Sequence, residues 1–372
     1  MTGRRFALLL HRQLGLSIGA LLLLTALSGT LLVFRPELSR ILYPHVFRSS
    51  DCRHRVSLAE LTRRAAAAVP DSVLVYVEDM QSSCLNAVAI AVPRDTSMSS
   101  APVMIGLDSA TGSVAGQMPL AHNILNLALT LHTTFFTGPR GRWLVGTLGI
   151  ALATMAVSGL VLWSNGQRQR LGPHLKRTYA IRKRYFAYDL HRAVGLTTSA
   201  LLLVTAVTGV SMSYAPELQR ALAYLSGGPE KPDARRIIVN AATTATTLDL
   251  ARALDLASPL LSDAQPSIAG FSSDNPNVIY VQGRHAGDHY GYGREEVLLD
   301  ARSARVLATL NTRSDPASWF ILLEGAWTLH TGTALGLTGR ALMLLIVGLG
   351  LCAQAMLGAR LWWKRTRGRK GH

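Results

Sequence analysis

Four stretches of the chain, roughly 14–34, 143–163, 194–214 and 341–363, are long apolar runs without an acidic residue. Each is close to the 20 or so residues with which a helix crosses a hydrocarbon core about 30 Å thick. The pattern predicts four transmembrane helices. The first reads as a retained helix rather than a cleaved signal. Its apolar run is long, and Phe34, Arg35, Pro36 and Glu37 follow it where a signal would end in small residues. Two shorter apolar segments, 120–136 and 317–333, each precede a span and are separated from it by glycine. They are short and polar for a crossing, with Asn123 and Asn126 in the first, and are predicted to be interfacial or re-entrant helices.

The period changes between the spans. Residues 57–69 read as a helix, with Ser57 and Glu60 placed for a capping box. Strand-like runs follow at 73–77, 86–92 and 103–108, the last entering the turn Asp108-Ser109-Ala110-Thr111-Gly112. The same order returns later: a helix at 247–256, strands near 266–271, 277–283 and 295–300, then Asp300 to Leu307. The fold class expected is therefore an α-helical membrane protein with four spans and two small α+β modules, one helix on an antiparallel sheet in each. The divisions expected are 1–42 for the first span, 43–119 for the first module, and 120–170 for the interfacial helix with the second span. A basic loop at 171–193 and the third span at 194–222 follow. The second module is 223–315, and the second interfacial helix, fourth span and basic tail are 316–372.

Composition agrees with a membrane protein. Of 372 residues 49% are hydrophobic and 16% charged, against about 25% charged in soluble domains. Disorder and an ordinary cytosolic enzyme are excluded. The net charge of +16 is explained by its location. Residues 1–13 hold three Lys/Arg, the loop 164–193 holds eight and the tail from Arg360 holds six, with Asp189 the single acid among them. The long segments 35–141 and 215–339 are close to neutral. The positive-inside rule then puts both termini and the middle loop in the cytoplasm and both modules outside. Basic residues that flank membrane helices argue against a nucleic-acid partner. The three cysteines form no C-x-x-C pair. Cys52 and Cys84 fall in the first module, where an oxidising space would permit a disulfide.

The chain also repeats itself. Residues 10–42 and 190–222 align at an offset of 180 without gaps, with 17 of 33 positions identical. Both copies open on Leu-His-Arg, carry a mid-helix glycine (Gly29, Gly209) and close on Pro-Glu-Leu. The second halves correspond too: His132 and His330 each lie ten residues before an arginine, Arg142 or Arg340. Each span then ends in Gly-x-x-Leu-Trp, Gly159 to Trp163 and Gly358 to Trp362. Both copies enter from the same side, which makes a parallel repeat about an axis along the membrane normal.

Ionisable residues at membrane depth are functional candidates by default. Four histidines occupy repeat-equivalent places: His11 with His191, expected near the inner surface, and His132 with His330, expected near the outer. Two-fold symmetry predicts that each pair faces itself across the axis. Two neutral imidazoles on opposite sides of a flat macrocycle is how haem b is held, so two bis-histidine haems are the leading reading. A bare metal site, a proton relay and purely structural histidines are the alternatives. Arg12 and Arg192 beside one pair, and Arg142 and Arg340 beyond the other, are candidate partners for haem propionates. Gly15, Gly19, Gly146, Gly149 and Gly195 are small enough to let a ring approach the backbone. A further cluster, His285, His289, Tyr290 and Tyr292, reads as a solvated hairpin tip or as a contact for an iron complex.

Leu-His-Arg-x-x-Gly before a span, Gly-x-x-Leu-Trp closing one, and an outer helix-plus-sheet module ending in Asp-x-x-x-Gly resemble the PepSY-associated transmembrane helix family. Within it the chain is similar to the ferric-siderophore reductases of the bacterial inner membrane. The resemblance covers nearly the whole chain. It implies four spans, two PepSY-like periplasmic modules and haem b, with ligands at His11, His132, His191 and His330. The chain departs from the pattern at Gln13 and Ala193, where an aromatic residue often follows His-Arg, and at Ala304, where the turn glycine is missing.

The function expected is a reductase that carries electrons through the lipid to a periplasmic acceptor, a ferric siderophore or other iron chelate. No dinucleotide or flavin fingerprint is present, so the donor is a separate cytoplasmic protein or a quinol. The contrasting reading is a membrane-anchored sensor or inhibitory scaffold without redox activity.

Overall fold

The computed structural model of the protein describes residues 3–51, 54–80, 84–94, 101–164, 171–227, 248–272, 275–286, 295–311 and 318–368. Contacts divide the chain into two units, one made of Met1–Phe34, Ala128–Ala215 and Gly325–His372, the other of Arg35–Leu127 and Pro216–Glu324.

The first unit is helical. Four of its helices, Gly3–Leu32, Pro139–Ser164, Lys183–Ser213 and Thr333–Thr366, are long and apolar enough to cross a membrane. The first and the third each pack against both the second and the fourth. Small residues bring the backbones close. A Cβ on Gly146 would lie 2.5 Å from the Tyr214 ring, and one on Gly350 would lie 2.6 Å from Thr198 Cγ2. Leu16, Leu24, Leu27 and Leu31 stay exposed along the first helix. Such an apolar face suits acyl chains rather than water.

The fourth span is not uniform. A π-helical segment, Met343–Leu349, interrupts it between the α-helical stretches Gly336–Leu342 and Gly350–Gly368. The second span is α-helical throughout, Pro139–Ser164. The sequence gives a physical reason. Gly159 lies 17 residues after Arg142, whereas Gly358 lies 18 after Arg340. In a regular helix one extra residue turns everything beyond it by about 100°. A wider π turn absorbs that residue and keeps both ends in phase. Deleting Val347 is therefore expected to leave the melting temperature of the detergent-solubilised protein close to the parent's. Deleting Ile150 from the second span, which has no such slack, is expected to lower it by several degrees. Equal losses from the two deletions would remove this account of the π segment.

The second unit is built on one antiparallel sheet of eight strands in the order β4-β3-β2-β1-β5-β6-β7-β8. The strands are β1 Ser72–Glu78, β2 Ala87–Pro93, β3 Val103–Leu107, β4 Val114–Pro119, β5 Gln265–Phe271, β6 Val278–Arg284, β7 Glu295–Asp300 and β8 Val306–Asn311. The strand runs expected from the sequence are present, but the two halves are not separate modules. β1 pairs with β5, with Tyr76 opposite Gly270 and Glu78 opposite Ile268. Joining the halves removes two exposed strand edges. It also makes one core from two that would each be small for independent stability. Helices Leu58–Ala68 and Leu250–Ala257 pack against each other, and Leu61, Ala65, Leu254, Val77, Ile279 and Leu299 share a single buried cluster. Ser57 caps the first helix as its spacing suggested, accepting from the Glu60 backbone N–H, and Asp249 caps the second.

The turns after β3 and β7 match as well. Asp108 accepts from the N–H groups of Ala110 and Thr111, and Asp300 from those of Arg302 and Ser303. Gly112 closes the first turn at φ 74°, and Ala304 adopts φ 58° at the corresponding place. The turn thus survives without its glycine, at the cost of left-handed backbone on an alanine. Burial works to raise the Asp108 carboxyl, but hydrogen bonds from Ser50, Thr111 and Ala110 outweigh it and hold the group below the usual range. Cys84 is disulfide-bonded and Cys352 is free, while Cys52 lies outside the described residues. His285 is not at a solvated tip: it is buried, with Nε2 2.9 Å from Glu295 Oε1. His289, Tyr290 and Tyr292 lie outside the described residues.

Candidate functional site

The four repeat-equivalent histidines all belong to the helical unit, and they meet in two pairs. The ring centroids of His11 and His191 are 6.3 Å apart, with the planes at 83°. Those of His132 and His330 are 6.1 Å apart, at 52°. His11 and His191 sit near the starts of the first and third spans. His132 is in the short helix Ile124–Thr134 and His330 in Ser318–Thr331. Neither short helix is among the four span-length ones.

Each ring lies against a glycine of a neighbouring helix. A Cβ on Gly29 would be 2.6 Å from His132 Cε1, and one on Gly209 would be 3.0 Å from His330 Cε1. The corresponding distances are 3.3 Å from Gly159 to His11 Cε1 and 3.8 Å from Gly358 to His191 Cε1. The glycines of the repeat are therefore seats for the imidazoles. Gly146 and Gly149, expected to make room for a flat ring, are instead covered by Tyr214 and Val210.

Beside three of the four seats is a polar pair. His11 Nδ1 is 3.0 Å from the Met155 carbonyl and 3.0 Å from Ser158 Oγ. His132 Nδ1 is 2.8 Å from the Thr25 carbonyl and 3.5 Å from Ser28 Oγ. His330 Nδ1 is 3.0 Å from the Thr205 carbonyl and 3.2 Å from Thr208 Oγ1. The register is the same each time: a carbonyl, a hydroxyl three residues on, and the glycine next to it. A carbonyl can only accept, so Nδ1 carries the ring proton and Nε2 keeps its lone pair. Ser28, Ser158 and Thr208 were not singled out from the sequence. Their signal was there, as Ser-Gly or Thr-Gly inside three of the four spans.

This donor set fits haem. Two imidazoles on one metal atom, each bonded at about 2.0–2.1 Å, hold their ring centres about 6 Å apart, which is the separation in both pairs. A metal-bound histidine almost always donates its other ring N–H to a carbonyl, carboxylate or water, and three of the four do so here. Among the described residues no group of three or more His, Cys, Asp or Glu is arranged for a bare metal ion.

The arginines are more varied. Arg192 donates through Nη2 to the carbonyls of Arg177 and Thr178 and lies 3.7 Å from Asp189. Its Nε is buried without a hydrogen-bond partner, a donor that a buried carboxylate would satisfy. Asp189 is fully buried and takes three hydrogen bonds from Arg182, so the lone acid of the basic loop fastens that loop to the third span. Arg340 donates from Nε to the Val33 carbonyl and stacks 4.7 Å above the Phe34 ring. Arg142 lies 5.7 Å from the Trp143 ring, and Arg12 is partly buried.

Over residues 8–365 the chain matches the family described as the PepSY-associated TM region. The protein belongs to that family. None of the curated proteins matches it. In this PepSY-associated protein the match takes in the second and third spans, nearly all of the first and fourth, both short helices and the intervening sheet strands, so the paired histidines lie within the family region.

Proposed function

We propose that the protein carries electrons across a bacterial inner membrane and delivers them to ferric iron in a siderophore or another chelate. The observation that carries this reading is the pairing of four histidines, each beside a glycine, with Nδ1 of three committed to a backbone carbonyl. His11 with His191, and His132 with His330, would each hold one haem b through Nε2. Haem b, when bound, would supply one-electron redox chemistry.

The residues of the chain position and insulate. Thr25, Met155 and Thr205 orient the imidazoles through their carbonyls, and Arg12, Arg192, Arg142 and Arg340 would neutralise propionates. The apolar span helices exclude water and ions from the path. The charge distribution supports cytoplasmic termini and a periplasmic sheet unit. Two centres divide a crossing of about 30 Å into shorter hops. One electron, from a separate cytoplasmic reductant or a quinol, converts Fe(III) in the acceptor to Fe(II). The softer ion is held less tightly by hard oxygen donors.

The test is anaerobic reduction of the purified protein, followed by addition of ferric chelates while the visible spectrum is recorded. The proposal expects a bis-imidazole haem spectrum that reoxidises in proportion to the chelate added. A colourless preparation would return the protein to the scaffold reading. A haem spectrum indifferent to every ferric chelate would remove the acceptor.

A further inference from the structure

The basic loop before the third span carries a surface that electron transfer does not use. Tyr179, Ile181, Tyr185, Phe186 and Tyr188 are each between 41% and 53% exposed. So many large side chains left open in so short a stretch make an apolar patch of the kind that marks a partner. They are held in place. The Arg182 guanidinium, hydrogen-bonded to buried Asp189, lies 4.7 Å from the centre of the Tyr185 ring. The Tyr179 hydroxyl is 3.2 Å from Thr197 Oγ1, and both residues are exposed. Thr197 belongs to the third span, so Tyr179 runs along the outside of that helix. At 1.5 Å per residue, Thr197 lies about 16 Å beyond Phe186 along the axis. A headgroup layer is only roughly 5–8 Å deep. The exposed stretch therefore reaches from the headgroups into the acyl region.

Cations are interleaved with these side chains. Lys176, Arg177, Lys183 and Arg184 are exposed. Asp189, the only acid of the loop, is taken by Arg182 and Arg192, so no loop acid is left to neutralise them. The first copy repeats the arrangement. Arg4-Arg5-Phe6-Ala7 stands at an offset of 180 from Arg184-Tyr185-Phe186-Ala187. In both copies the alanine is buried and the phenylalanine exposed. Each helix thus turns its alanine to the bundle and its phenylalanine, with a cation two residues before it, outward.

We propose that residues 176–188 bind the headgroups of anionic phospholipids. Lys176, Arg177, Lys183 and Arg184 contact the phosphates, and the aromatic side chains between them pack on the glycerol and the first acyl carbons. A ring with one polar end suits that boundary. Basic residues beside a span select anionic over zwitterionic lipid because a choline headgroup brings its own cation. An acidic protein would satisfy the same charges. It would gain nothing from Tyr179, which lies at the depth of Thr197, where only lipid reaches.

The experiment is a titration of the detergent-solubilised full-length protein with short-chain phosphatidylglycerol, short-chain phosphatidylcholine and inorganic phosphate, with the bound species followed by native mass spectrometry. The parent is expected to bind phosphatidylglycerol more tightly than phosphatidylcholine, and phosphate in excess should not displace it. Each basic residue near an anionic surface contributes about a factor of five. Lys183→Gln with Arg184→Gln should therefore weaken phosphatidylglycerol about 25-fold and leave phosphatidylcholine near the parent. Lys176→Gln with Arg177→Gln, on the preceding helix, should do the same, so misfolding of one variant does not decide the matter. Phe186→Ser with Tyr188→Ser, all charges kept, should weaken both lipids. Equal affinity of the parent for the two lipids overturns the proposal, as do charge variants that keep the parent's preference; the cations then belong to an acidic protein partner. Displacement by phosphate also overturns it, because the aromatic side chains would then contribute nothing. The readout is lipid, so a preparation without haem tests the surface equally well.

Discussion

On the proposed haem reading, replacing His132 and His330 together with alanine is expected to remove one of two haems and to stop transmembrane electron transfer, while a haem at His11–His191 remains. The two pairs share no side chain. His132 leans on Thr25, Ser28 and Gly29 and His330 on Thr205, Thr208 and Gly209, whereas His11 leans on Met155, Ser158 and Gly159. Each site is therefore expected to load independently. The haem-to-protein ratio should halve, and the surviving spectrum should keep its bis-imidazole character. Dithionite should still reduce that haem, but reoxidation by a membrane-impermeant ferric chelate, in vesicles with the sheet unit outward, should be lost. The reciprocal pair, His11→Ala with His191→Ala, should retain the other haem and reoxidise normally when reduced from the chelate side. A double variant with an unchanged haem ratio would show that these histidines are not the ligands. Complete loss of haem would show that the sites are not independent.

Much of this arrangement is legible in the sequence because the chain is written twice. The repeat at an offset of 180 pairs His11 with His191, and the shared spacing to Arg142 and Arg340 pairs His132 with His330. Membrane helices tolerate few polar side chains, so those that persist in both copies stand out. The seats were harder to see. Ser and Thr are common in spans and usually bond back to their own helix, as Ser28 does to the Leu24 carbonyl. Only the folded bundle shows that three of them also face a ring. Gly146 and Gly149 invited the wrong partner for the same reason: a glycine announces a close approach but not what approaches. The junction of β1 with β5 was hidden because edge pairing between distant strands leaves no periodicity of its own. Both strands carry ordinary half-buried patterns, and what joins them is register. The π segment was encoded as one residue of surplus between Arg340 and Gly358, which a gap-tolerant comparison of motifs passes over.

A single methyl group at Gly29 is expected to do nearly as much damage as losing a ligand. Alanine there puts Cβ 2.6 Å from His132 Cε1, closer than real Cβ contacts allow, so the ring must move. Its freedom to move is small, because Nδ1 is fixed to the Thr25 carbonyl at 2.8 Å on the same helix that would carry the new methyl. Moving away breaks that hydrogen bond, and staying forces the helices apart. Loss of such outer support typically weakens metal binding by about 10- to 100-fold, and that is the fall in haem retention expected for Gly29→Ala. The clearances predict an order: Gly209→Ala next, at 3.0 Å from His330 Cε1, then Gly159→Ala at 3.3 Å, with Gly358→Ala nearly neutral at 3.8 Å. Helix propensity works the other way, since alanine in a helix interior is favoured over glycine by about 1 kcal/mol. Compared in the haem-free form, the Gly29→Ala variant and the parent should therefore melt close together even as haem retention falls, which separates a displaced ligand from a damaged helix. Gly19→Ala, on the same span with nothing within 4 Å, is the control and should keep its haem. If Gly29→Ala binds haem as well as Gly19→Ala, the His132 ring is not held where its hydrogen bonds put it, and the case for that site loses its geometric support.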